Sequence, residues 1–133
     1  MIKDRRTHTT LPAADLERAQ KWYEEKLGLT VASVNPGAGV FFSMADGTRF
    51  ILYPTPNPNR GGHTQMGFTT DDIEAEVAEL KGRGVVFEEY DFPGLKTENS
   101  IAKTGEAQAA WFKDSEDNTI GIVQLPPGID PAG

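Results

Sequence analysis

The chain has 133 residues, 38% of them hydrophobic and 25% charged, which is enough for one domain with a real core and too little for two. Twenty acidic residues against thirteen basic ones leave a formal charge of −7, which repels a phosphate backbone and argues against a nucleic-acid partner. Cysteine is absent, so disulfides, thiolate metal sites and a cysteine nucleophile are excluded together.

Met1 to Arg6 carries basic residues but leads into Thr7-His8-Thr9-Thr10 rather than an apolar run, unlike a secretory signal. No stretch approaches the ~20 apolar residues that cross a bilayer. The expectation is a cytoplasmic protein with no membrane partner.

A first strand is predicted over Arg6 to Leu11. Asp15 then serves as N-cap of a helix from about Leu16 to Leu27, with Leu16, Ala19, Tyr23 and Leu27 at helical spacing and Gly28 as the stop. Strands follow over Thr30 to Val34, Val40 to Met44 and Thr48 to Tyr53, separated by an Asn35-Pro36-Gly37 turn and an Asp46-Gly47 hairpin. Residues 54–62, with alternating prolines and closing glycines, form a linker. The pattern then repeats. A strand over Thr64 to Thr69 precedes a helix capped by Asp72, with Ile73, Val77 and Leu80 on one face and Gly82 and Gly84 at its end. Strands are predicted over Val85 to Glu89, Gln108 to Lys113 and Thr119 to Gln124, with a long loop from Tyr90 to Ser100 and a turn at Ser115-Glu116-Asp117-Asn118.

The order strand, helix, strand, strand, strand thus occurs twice. It predicts an α+β fold of two βαβββ modules forming a curved, barrel-like mixed sheet, with helices outside and a concave ligand cavity. Residues 1–133 form one domain, with modules at about 5–53 and 63–125 and a tail at 126–133.

The run from His8 to Ala19, then Trp22-Tyr23 and Leu27-Gly28-Leu29, resembles the opening module of the vicinal oxygen chelate superfamily. That superfamily includes glyoxalase I, extradiol dioxygenases, and fosfomycin and bleomycin resistance proteins. Phe68 to Glu74 and the hairpin from Trp111 to Ile120 match its second module, the hairpin departing slightly from the usual Asp-Pro-Asp-Gly-Asn. The resemblance covers about residues 6 to 125 and is closest to a small bacterial branch lacking the metal carboxylates. In the family's metal enzymes four side chains hold a divalent ion, and those positions fall here on His8, Ile51, Gln65 and Gly121. Ile51 and Gly121 have no donor atom, and His8 with Gln65 is a poor cage for a hard cation. No cofactor is therefore expected, with a divalent metal only as the lesser alternative.

Strand alternation puts Arg49, Ile51 and Tyr53 on one face, facing the concavity with His8, Thr10, Gln65 and Gly121. Phe92, Leu95 and Trp111 are expected as a lid or wall. The reading that follows is a glyoxalase/bleomycin-resistance-like protein that binds a small molecule without metal, for sequestration, sensing or carrying. The acidic balance suits a cationic guest. The alternative is a lyase, isomerase or dioxygenase of this superfamily, with an atypical metal site or a metal-free His8 base. Metal-dependent glyoxalase or extradiol dioxygenase activity is disfavoured, and the resemblance implies a homodimer.

Overall fold

A computed structural model describes residues 1–35, 37–56 and 62–126. Pro36 of the expected turn, most of the linker and almost all of the tail lie outside the described residues. After a short 3-10 turn at Ile2–Asp4, the first half runs β1 (Thr9–Ala13), α1 (Leu16–Lys26), β2 (Val31–Asn35), β3 (Gly39–Ser43) and β4 (Arg49–Pro54). The second runs β5 (Thr64–Thr69), α2 (Ile73–Gly82), β6 (Asp91–Phe92), β7 (Leu95–Glu98), β8 (Ile101–Thr104), β9 (Ala107–Lys113) and β10 (Thr119–Gln124). The fold is α+β, with two mixed sheets ordered β1-β4-β3-β2 and β5-β10-β9-β8-β7-β6. β1 and β5, the outer strands at corresponding edges, are not laddered to each other, so the described sheets do not close into a barrel.

Both helices start as the capping residues dictate. The Asp15 carboxylate accepts the Arg18 N–H at 3.0 Å, and the Asp72 carboxylate accepts the Ala75 N–H at 3.2 Å. The apolar stripes then bury Ala19 and Tyr23 on α1 and Ile73, Val77 and Leu80 on α2. They join Leu11, Phe42, Phe50, Leu52, Phe112, Ile120 and Ile122 in one cluster drawn from both halves. Each of the larger aliphatic and phenylalanine side chains contributes roughly 1.5–3 kcal/mol by leaving water.

Three expectations change. Val85 to Glu89 is not a strand but touches the sheet at a single bridge, Phe87 to Phe112, with the Glu88 N–H donating to the Trp111 carbonyl at 2.8 Å. The neighbouring length of β9 is already taken by β8, which pairs with Ala107 to Ala109. The loop from Tyr90 to Ser100 is instead the β6–β7 hairpin and the turn into β8, so β8 fills in the second half the place β2 fills in the first. The first strand also begins later than Arg6, because β4 offers partners only from Thr9 opposite Phe50 onward.

The halves are tied by the β9–β10 turn. Glu116, its side chain only 1% exposed, accepts two bonds from the Arg18 guanidinium at 2.8 and 3.0 Å and one from the Asp15 N–H at 3.0 Å. The Asn118 amide donates to the Pro12 carbonyl at 3.1 Å, and the Tyr23 hydroxyl donates to Asp114 at 2.6 Å. Trp22 stacks on Phe112 at 6.0 Å, so α1 packs on both halves.

Candidate ligand site on the open sheet faces

In β4 the residues alternate between two environments. Phe50 and Leu52 enter the shared core, while Arg49 and Tyr53 are exposed and Ile51, 8% exposed, stays outside the core cluster. Ile51 pairs with Thr10 on one side and Phe41 on the other. Thr10, Phe41, Arg49, Ile51 and Tyr53 therefore share the face of the first sheet that points away from α1. At its end lies a cavity of about 680 Å³ whose wall includes Arg6, His8, Phe41, Thr48 and Arg49. His8 is exposed and sits one residue ahead of β1. Among the described residues no carboxylate comes within 4 Å of Arg6, His8 or Arg49. Asp46, also in the wall, is occupied by Thr48, whose N–H and hydroxyl donate to it at 3.0 and 2.6 Å. Those bonds hold its carboxyl below the usual carboxylate range. Three nitrogen-bearing side chains thus face one carboxylate that is already committed to its own turn.

On the second sheet Ile120 and Ile122 enter the core, and Gly121 between them faces the opposite side. A Cβ at Gly121 would meet the Trp111 ring at 3.5 Å and the Thr64 methyl at 3.3 Å. The indole lies where a side chain at position 121 would project. Tyr90 meets Trp111 edge-on at 5.6 Å and Phe92 at 5.6 Å, extending the aromatic row to the sheet's margin.

The expected site residues therefore fall in three places. His8 and Arg49 share a cavity; Thr10, Ile51 and Tyr53 adjoin it on the same sheet face. Gln65 and Gly121 belong to the second sheet with Trp111. Phe92 and Leu95 line a separate cleft beside α2 rather than the surroundings of His8. Neither cavity is lined from both sheets. Arg6 and Phe41 had no signal in a reading centred on the metal positions, although Phe41 shares the parity of the Ile51 face.

Against this geometry the sequence can be compared with known proteins. A profile of the Glyoxalase/Bleomycin resistance protein/Dioxygenase superfamily matches residues 5–121. The chain belongs to this superfamily. No curated protein matches the chain by sequence. Among solved structures, a superfamily protein from Alicyclobacillus acidocaldarius superposes with a TM-score of 0.69 at 18% identity, over 92% of each chain. A lactoylglutathione lyase from Agrobacterium tumefaciens gives 0.63 at 21% identity, over 91% of this chain and 93% of that one. TnmS3, an antibiotic binding protein from Streptomyces sp. CB03234, gives 0.65 at 24% identity, over 95% and 99%.

The metal that serves other members of the superfamily does not fit the residues this chain has. Ile51 and Gly121 offer no donor, the Trp111 indole lies against position 121, and no described group of three or more His, Cys, Asp or Glu residues is arranged for an ion. His8 and Gln65 alone do not supply the charge that a divalent cation requires.

Proposed function

We propose that this chain is a small-molecule binding protein that takes its ligand on the open face of the first sheet, without a resident metal ion. The observation that carries the reading is the cavity at His8, Phe41 and Arg49, whose volume of about 680 Å³ lies within the range of ligand sites. Phe41 supplies an aromatic wall, and Arg6 and Arg49 supply donors suited to a carboxylate or phosphonate. The guest is therefore an aryl anion, despite the protein's overall acidity: charge at the cavity wall acts at contact, whereas distant acidic residues are screened beyond about 10 Å. TnmS3, of like fold, is an antibiotic binding protein, which supports a binding role for this architecture. Among the described residues no carboxylate lies within 4 Å of His8 to orient it, which favours a binding role for it over that of a catalytic base.

A second copy of the chain completes the enclosure. Neither described cavity is lined from both sheets, and a second copy would set the Gln65, Trp111 and Gly121 face opposite the His8 and Tyr53 face. Sedimentation should then give a dimer.

The test is a thermal shift with benzoate and phenylphosphonate. A ligand at a hundred times its Kd stabilises the folded state by about 2.7 kcal/mol, so a rise in Tm of several degrees is expected. The rise should disappear in Arg49→Ala and shrink in His8→Ala. Stabilisation by cationic guests alone, or one indifferent to Arg49, refutes the reading.

A further inference from the structure

The two halves are not equivalent, and the difference builds a second cavity. The first sheet ends at β2, whereas the second continues past β8 into β7 and the short β6. These extra strands stand opposite α2 and leave a cleft of about 850 Å³ between them, larger than the cavity at His8 and lined by the second half alone. Val77 of α2 and Leu95 and Ile101 of the strands contribute apolar surface, and Phe92, 53% exposed, stands in its wall. An exposed phenyl ring beside apolar walls marks surface that a ligand can still cover.

The charge around the cleft runs against that of the molecule. Lys81, Lys96 and Lys103 line it together with Glu74 and Glu98, in a chain that carries −7 overall. None of the three lysines lies within 4 Å of a carboxylate among the described residues. Elsewhere the long cations do pair, Lys21 with Glu25 and Arg83 with Glu79. The wall is also fixed in place. The Glu89 carboxylate accepts the Ser100 hydroxyl at 2.6 Å and the Thr97 hydroxyl at 2.9 Å, fastening β7 and the turn into β8 to the segment that follows α2. Two tight turns shape it, one at Gly94 with φ of 85° and one at Asn99 and Ser100 with φ of 52° and 74°.

From this cleft we infer a second binding site, for an amphipathic anion: an apolar chain of roughly eight to twelve carbons lies along Val77, Leu95 and Ile101, and its carboxylate meets the lysines. The apolar walls supply the burial, and the ammonium groups of Lys96 and Lys103 select the sign of the head group, Lys81 lying over the Phe87 ring at 6.0 Å. The site is independent of the one at His8.

Isothermal titration with decanoate, decanol and decyltrimethylammonium at low salt tests this. Decanoate should bind once per chain, at least tenfold tighter than decanol, and decyltrimethylammonium should not bind. Lys96→Glu/Lys103→Glu should weaken decanoate at least tenfold, and Ala78→Trp, on the exposed side of α2, should block the cleft without changing charge. Arg49→Ala should bind as wild type does. Unchanged melting curves would show that the variants are folded. The inference is overturned if decanoate does not bind, if it survives both cleft variants, if Arg49→Ala abolishes it, or if the three probes bind alike. It is equally overturned if Ala78→Trp changes the oligomeric state while decanoate binds nowhere, since the cleft is then a contact between copies.

Discussion

Replacing Tyr23 by Phe removes one oxygen from the most deeply buried junction between the halves. The Tyr23 ring is fully buried, with Trp22, Phe42 and Phe50 at 5.1 to 5.8 Å, and Phe keeps all of those contacts. What is lost is the 2.6 Å bond to Asp114, whose same oxygen keeps the Asn118 amide at 2.9 Å and whose other oxygen keeps the Glu116 and Asn118 N–H groups at 2.8 and 2.9 Å. A hydrogen bond to a charged group is worth about 1.5–3 kcal/mol, and the remaining donors keep Asp114 solvated, so the loss should fall in that range. At about 4 °C per kcal/mol for a domain of this size, Tm should fall by about 6–12 °C. Urea unfolding followed by circular dichroism measures it, with the slope m unchanged if only the bond is lost. A loss below about 0.5 kcal/mol would mean that water repairs the site, and that the Tyr23–Asp114 bond does not help to tie the halves.

Other outcomes follow from the same turn and its surroundings. Although burial raises the Glu116 carboxyl, the bonds from Arg18, Asp15 and Ser115 outweigh it and hold the group below its ordinary value. Its folded pKa is therefore lower than its unfolded one, so its stabilisation is present above the ordinary carboxylate range and lost as pH falls through it. Glu116→Gln should accordingly cost more at pH 7 than at pH 4 in parallel urea titrations; an equal cost at both would contradict the assignment. Asp117 sits at φ of 63°, which glycine adopts without strain, so Asp117→Gly should raise stability by about 0.5–1 kcal/mol in the same assay. Gly121→Ala must push on Thr64 and the indole, and should cost about 1 kcal/mol with a shift in tryptophan emission.

What the sequence made legible was local. Asp15 and Asp72 announce helix starts, and apolar spacing announces which faces they bury, because those choices depend on residues within one turn of each other. The parity of Arg49, Ile51 and Tyr53 was equally readable, since it needs only the strand period. The β6–β7 hairpin was hidden although its turn, Pro93-Gly94, is a recognised signal, because strands of two and four residues leave no periodicity to detect. Val85 to Glu89 was misread for the opposite reason: its apolar content is spent on packing Phe87 against Phe112 at 5.5 Å, not on pairing. The gathering of Arg6, His8 and Arg49 at one cavity depends on a register between strands some forty residues apart, which no local pattern encodes.

The junction built on Asp114, Glu116 and Asn118 closes contacts across 91 to 106 residues. During synthesis the first helix leaves the ribosome long before its partners exist, so Tyr23 and Arg18 must wait for the last hairpin. The N-terminal half made alone would keep the Tyr23 ring against Phe42 and Phe50 but leave its hydroxyl without Asp114 and Trp22 without Phe112. Translation pauses or truncations before residue 118 should therefore yield chains recognised by chaperones, whereas loss of residues after 126 leaves every one of these bonds in place.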